Sequence, residues 1–354
     1  MSTYNHQIGS LNTLMNVFQF SVWCQLVYIV SNCCVSAISY GYKCNDTQLA
    51  AIEKADVVKL LQHSRCPKRG SWFRSAVHQS LKRPNITIVS IGCNKGDDLI
   101  SLMEAWSGNT TYNVTAYVQH MRADFGKLHF ACGKAAKHYP RFLQQTVRHV
   151  RGFCVEPMPI NQKLLRSTMY DGMKFSPEVL KVVPAAVDML PGVALFPNFL
   201  LPGVEHLGLG NIGASGSQAI PVNVTNVDQL LADEGLDIVD LLSIDAEGYD
   251  GRVLLGAAQS LASGKIRMLE FEYGKTGPWK TLDLSMIVEY LDVLQYDCFW
   301  MGDGGELWRL TGCWMAGYKD KADWSNVVCV HRVLEAATHR IFTDHSTIFD
   351  RRHE

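Results

Sequence analysis

The sequence predicts an open, doubly wound α/β domain: a mostly parallel sheet of seven strands with helices on both faces. Three observations carry that expectation. After residue 84, apolar runs of strand length alternate with segments of helix length. The first run leads directly into a Gly-x-x-x-Gly turn, Gly92 to Gly96, and then into a helical stretch. Two later runs end in acidic residues, Glu156 and Asp245, at the strand ends where open α/β sheets bind their ligands.

The elements follow in order. Strands are predicted at 86–92, 151–156, 181–187, 238–245, 266–273, 297–301 and 326–332, and helices at 97–106, from about 161, at 250–262 and at 284–295. The 43–83 segment is polar and reads as a helical stem, broken at Cys66-Pro67-Lys68-Arg69-Gly70. Glu156 lies much further from the glycine turn than the ~20 residues of a compact βαβ unit, so about 107–150 reads as an insertion within a domain spanning 84–335. Between the last two strands, Gly302, Gly304, Gly305 and Gly312 mark a loop. Residues 336–354 are charged and read as a surface tail.

Composition narrows the partners. Lys plus Arg (33) balance Asp plus Glu (34), which leaves no global electrostatic footprint for nucleic acid. A small or neutral acceptor fits better. Of eleven cysteines, eight lie beyond the first 42 residues, a number compatible with disulfides or with buried thiols. Cys44 and Cys66 are the first pair to consider. Cys93, Cys154, Cys298 and Cys329 sit in apolar runs that suit buried thiols. His120, His129, Cys132 and His138 lack the tight spacing of a metal centre, so no metal site is assigned.

No Asp, Glu, Lys or Arg occurs from Met1 to Tyr42, and Leu14 to Ile38 is largely apolar. That stretch is long enough for an apolar membrane-anchor helix, although Asn16, Gln19, Gln25 and Asn32 interrupt it. A cleaved signal ending near Val35-Ser36-Ala37 and an interfacial helix are the alternatives. The following Lys43, Lys54, Lys59, Arg65, Lys68 and Arg69 favour a cytosolic continuation. Sequons at Asn45, Asn85, Asn109, Asn113 and Asn223 favour a lumenal one. The balance points to the secretory pathway, with the protein anchored in a Golgi or endoplasmic reticulum membrane or secreted.

Three motifs carry chemistry. In Ile88-Val89-Ser90-Ile91-Gly92-Cys93-Asn94-Lys95-Gly96 the glycines allow close backbone approach to a ligand, and the spacing departs from the Gly-x-Gly-x-x-Gly of dinucleotide sites. Glu156, ahead of Pro157, can accept bonds from both hydroxyls of a ribose. In Leu242-Ser243-Ile244-Asp245-Ala246-Glu247-Gly248, the carboxylates of Asp245 and Glu247 can face the crevice, whereas Asp250 reads as a helix cap.

Together these motifs resemble the FkbM family of methyltransferases. The match continues through Pro184-Ala185-Ala186-Val187, Pro221-Val222-Asn223-Val224-Thr225, Val253-Leu254-Leu255-Gly256-Ala257 and Leu269-Glu270-Phe271-Glu272. The resemblance implies a class I, Rossmann-like methyltransferase fold with S-adenosyl-L-methionine as cofactor and a hydroxyl of a sugar, glycan or glycosylated metabolite as acceptor. It implies a donor site at Ser90, Gly92, Cys93, Asn94, Gly96, Glu156, Pro157, Asp188 and Asp245. Catalytic candidates are Asp245, Glu247, Glu272 and His206, the last in the glycine-rich stretch Gly203 to Gly210. Ser90 stands where the family usually has an acid, and Ser243 where it commonly has Lys. A catalytically degenerate member acting as a binding or scaffold module, a nicotinamide oxidoreductase and a membrane-tethered glycan-binding protein are the rival readings.

Overall fold

Unbroken Val-, Ile- and Leu-rich runs bury both faces of a strand, as sheets covered by helices on each side require. The computed structural model describes residues 65–79, 83–108, 111–130, 148–198, 200–205, 218–320 and 324–346, together with residues 50, 132, 208 and 209. All of these fall in the unit Cys44–Glu354. The apolar segment 1–42, nearly all of 43–64, His138, His206, and the sequons at Asn45 and Asn109 lie outside the described residues. Among the described residues, no helix is long and apolar enough to cross a membrane.

The main sheet contains β1 (Asn85–Ile91), β2 (His149–Val155), β3 (Leu180–Val183), β7 (Val239–Ile244), β8 (Ile266–Tyr273), β9 (Tyr296–Met301), β10 (Leu307–Arg309) and β11 (Ser325–His331). Its order is β10-β9-β11-β8-β7-β1-β2-β3. The four pairings from β3 to β8 are parallel and the three from β8 to β10 antiparallel. Seven of these strands coincide with the predicted ones; the eighth, β10, occupies the linker read as a loop. A second sheet, β4 (Ala186–Val187), β6 (Gln218–Thr225) and β5 (Gly192–Asn198), also went unpredicted. The predicted strand 181–187 splits between the two sheets at Pro184.

Alternation along each strand divides the interior into two cores. Val89, Leu242, Leu269, Trp300 and Val327 face α5 (Val227–Asp233), α6 (Asp250–Leu255), α7 (Ala258–Ala262) and α8 (Leu284–Val293). Ile88, Leu241, Met268, Phe299 and Val328 face α1 (Ser71–Gln79), α2 (Asp97–Ser107), α3 (Val114–Phe125), α4 (Pro159–Arg166) and α9 (Ala336–His345). The helix predicted as 250–262 is two helices, α6 and α7.

The stem, the insertion and the tail each contribute a packed helix. The end of the stem is α1, whose Trp72, Phe73, Ala76 and Val77 are buried. The insertion contributes α3, whose Tyr117 and Met121 are fully buried. The charged tail begins as α9, which buries Thr338 and Phe342, and His339 Nε2 lies 2.6 Å from Asp297. Phe342 meets Trp72 edge-on at 4.9 Å and Phe299 at 5.7 Å. Phe342→Ala is therefore expected to cost ~3 kcal/mol, measurable as a lower denaturation midpoint at unchanged m-value.

The cysteine expectations are also overturned. Cys66 pairs with Cys132 rather than Cys44, and Cys93–Cys154 and Cys298–Cys329 are disulfides rather than thiols. Cys313 is disulfide-bonded as well. Cys298 and Cys329 are register partners on adjacent strands, and Cys93 is brought beside Cys154 by the turn that follows β1.

Candidate active site

The chain passes from β1 to β2 and β3 on one side, then returns to β7 on the other, which makes the C-terminal end of β1 the switch point of the sheet. There the chain turns at Gly92, with φ +73°. A Cβ at this position would lie 1.7 Å from the Asp245 carbonyl oxygen, so only glycine allows β1 and β7 to end so close together. The N–H groups of Gly92 and Cys93 donate to Val155 O at 3.0 and 3.2 Å. The Cys93–Cys154 disulfide fastens the same turn to β2.

A cavity of about 730 Å³ opens above this junction. Ser90, Gly92, Cys93, Asn94, Glu156, Pro157, Asp245, Glu247 and Glu272 line it. Gly96 does not: its missing Cβ faces Met169, Leu165 and Tyr117, so this glycine serves helix packing. Asp188 is also absent from the wall. Its carboxylate pairs with Arg252 at 2.6 and 2.8 Å, and the wall beside it is Ala185, Ala186 and Val187.

Glu156 ends β2 beneath the turn and is 4% exposed. It accepts bonds from Asn94 N (2.8 Å), Met158 N (2.9 Å) and Asn161 Nδ2 (3.3 Å). Burial pushes its pKa up to about 7, against the pull of those bonds and of Lys95. Asn94 itself is held at φ +47°, a left-handed conformation that asparagine tolerates, and its Oδ1 is buried without a donor.

Across the cavity, Asp245 follows β7 and Glu272 lies near the end of β8. Burial raises the Asp245 carboxyl well above its ordinary range, and Glu247, Glu205 and Asp98 add to the rise while Lys95 opposes it. Burial likewise raises Glu272, with Asp245, Asp250 and Glu247 contributing. Two facing carboxyls of this kind resist holding two negative charges at once. Asp250, expected to cap a helix, instead braces the loop before α6 and its junction with β8, and α6 has no side-chain cap bond. Asp250 accepts from Ala246 N, Gly248 N and Glu272 N, and burial, with Asp245 adding to it, lifts its pKa to about 8.

Several wall residues were not read from the sequence. Arg69, in the segment taken as a break, donates to both oxygens of Glu270 (3.0 and 3.1 Å) and of Asp98 (2.8 and 2.9 Å). Asn326 Nδ2 also donates to Glu270, at 2.6 Å. The Cys66–Cys132 disulfide ties the Arg69 segment to the insertion beside Phe130. Lys95 stood inside the glycine motif as an unassigned position, and its ion pair with Glu205 could not be seen in the sequence. The glycine-rich stretch does contribute to the wall, through Val204, Glu205, Gly208 and Leu209. Among the described residues, no cluster of His, Cys, Asp and Glu could hold a metal ion.

The Methyltransferase FkbM domain matches residues 196–298, from the end of β5 into β9; the glycine turn and Glu156 lie outside the match. No curated protein matches the sequence. Among solved structures, a methyltransferase FkbM from Methylobacillus flagellatus KT is 12% identical, with a TM-score of 0.42, covering 81% of this chain and 56% of its own. The METTL16 methyltransferase domain is 9% identical at TM-score 0.34, covering 73% and 64%. An O-methyltransferase from Bacillus cereus in complex with SAH is 10% identical at TM-score 0.27, covering 86% and 97%. This chain thus spans less than two thirds of the first two proteins. The motif resemblance and the domain match point to the same family, the match being confined to residues 196–298 of this chain.

Proposed function

We propose that this protein is an S-adenosylmethionine-dependent methyltransferase that methylates a hydroxyl oxygen of a sugar, glycan or glycosylated metabolite. The observation that carries the reading is the meeting of the Gly92 turn, Glu156 and Asp245 in one cavity at the switch point. The wall suits the donor chemically. Glu156 can accept from the ribose, Asn94 Oδ1 can accept from the ammonium group, and Ala186, Val187, Phe196 and Leu209 offer an apolar face to the base. When bound, the donor supplies an electrophilic methyl group.

The chain's own residues would orient the acceptor and take its proton. Holding the two reactants in line accounts for much of such a rate enhancement, and Asp245, with Glu247 and Glu272 beside it, is the candidate base. Arg69, Asp98, Glu270, Asn326 and Trp324 form the far wall, a set of planar polar groups and an aromatic ring suited to a hydroxyl-rich ring. Incubation with labelled methyl donor and a panel of glycans, lipids and proteins tests this reading; label in no fraction, together with no calorimetric binding of the donor, would leave only a binding or scaffold role.

Binding should depend on the charge of Glu156. As pH falls through about 7 the carboxylate becomes protonated, so donor affinity is expected to drop on the acid side and to level off above it. Glu156→Gln should flatten that profile at weak affinity. We also place the protein in an oxidising compartment of the secretory pathway, a reading supported by its disulfides and by the exposed sequon asparagines Asn85 and Asn223. Endoglycosidase treatment of the expressed protein tests that location.

A further inference from the structure

Lys95 is 3% exposed, although it follows directly on a turn at the cavity wall. Its ammonium group pairs with Glu205, sits 3.4 Å from Gly203 O and lies 5.1 Å from the Phe130 ring centre. Its charge also favours the ionised forms of Glu156 and Asp245. The strap formed by residues 200–205 is held by two further bonds, from Gly203 N to Asn161 Oδ1 (2.8 Å) and from Asn94 Nδ2 to Val204 O (3.0 Å).

Glu205 is poorly satisfied. Its Oε1 meets Lys95, while Oε2 is buried without a hydrogen-bond donor and, among the described residues, pairs with His129 Nδ1 at 3.5 Å. Buried carboxylate oxygens usually gather more partners than this. Its negative charge also helps to raise Asp245, the candidate base. A sulfonium donor carries two positive groups and one anion, its α-carboxylate. Apart from Lys95, the cations on the wall among the described residues are Lys68, which is exposed, and Arg69, which is engaged with Asp98 and Glu270.

We propose that Lys95 anchors the α-carboxylate of the methyl donor, and that the donor competes with Glu205 for that ammonium group and displaces it. The inference rests on the donor reading above and adds a competition between two carboxylates for one buried ammonium. Donor entry then frees the 200–205 strap from Lys95 and moves the Glu205 charge away from Asp245.

Two ligands separate this role from a merely structural one. S-adenosylhomocysteine carries the α-carboxylate; 5′-methylthioadenosine has the same nucleoside without the amino-acid end. By calorimetry on the full chain, Lys95→Met is expected to weaken S-adenosylhomocysteine roughly 10- to 100-fold, the range for a lost charge-assisted bond. Methylthioadenosine should change less than about 2-fold, since it lacks the carboxylate that such a bond would hold. Lys95→Arg should restore most of the loss. Glu205→Gln should tighten S-adenosylhomocysteine and leave methylthioadenosine unchanged, and it carries the test if Lys95→Met does not fold. Equal weakening of both ligands by Lys95→Met, or no tightening by Glu205→Gln, overturns the proposal. A wild-type protein that binds neither ligand overturns the donor reading itself.

Discussion

Gly92→Ala is expected to destroy the site and to destabilise the fold by more than about 4 kcal/mol, at the diagnostic end of single substitutions. Two costs combine. An L-residue at φ +73° loses about 1–2 kcal/mol. The added methyl would also stand 1.7 Å from the Asp245 carbonyl oxygen, a main-chain atom fixed by the bond from Asp245 N to Ile91 O at 2.9 Å. Relief requires β1 and β7 to part. Gly96→Ala provides the comparison. Its φ is +76°, but its neighbours are the ends of the Met169, Leu165 and Tyr117 side chains, which can move. Gly96→Ala should lower the melting temperature by less and keep donor affinity, because Gly96 is not on the cavity wall. Thermal unfolding and calorimetry of the two variants decide the point; equal damage from both would remove the special role of Gly92.

The second large effect is expected at Asp245. Asp245→Asn keeps the shape of the side chain and removes its capacity to take a proton, so kcat should fall by roughly 10²- to 10⁴-fold, the usual contribution of a general base. The KM for donor should change much less. The pH profile gives the sharper test. Burial raises both Asp245 and Glu272, Glu247 adds to each, and Asp245 adds to Glu272, so wild-type activity should climb as pH rises through an elevated acid limb. In Asp245→Asn, Glu272 loses a like-charged neighbour and its pKa drops, moving the residual limb to lower pH. Stability should respond with the opposite sign. A carboxyl whose folded pKa is raised favours the fold below its unfolded value, and that contribution is lost as pH rises. The variant should therefore unfold later than wild type at alkaline pH. An unaltered kcat in Asp245→Asn would assign the proton to another group.

What the sequence revealed and what it concealed follow from the range of the interactions. Strand ends were legible because Ile91-Gly92 and Ile244-Asp245 mark the points where apolar runs stop and polar chemistry begins, and the sheet topology brings those ends together. Gly96 was assigned to the ligand because a local motif cannot say which side of a turn faces a cavity. Arg69 was invisible as a wall residue, since its partner Glu270 lies 201 positions away. The Cys66–Cys132 link depends on where the insertion folds back, which spacing does not encode. In α9 the charges masked a usable signal: Thr338 and Phe342, four residues apart, lie on one buried face. The small sheet β4-β6-β5 escaped because Pro197 and Pro221 interrupt its strands and Val193 and Leu195 are exposed.

The order β8-β11-β9 gives β11, the last of the described strands, a keystone position. β11 arrives after both of its neighbours and must slot between them. A chain cut before Ser325 would leave two open edges in the middle of its sheet, inviting pairing with another molecule. Strand placement in this sheet can be complete only once residues 325–331 have been made, and the Cys298–Cys329 bridge then closes across the seam.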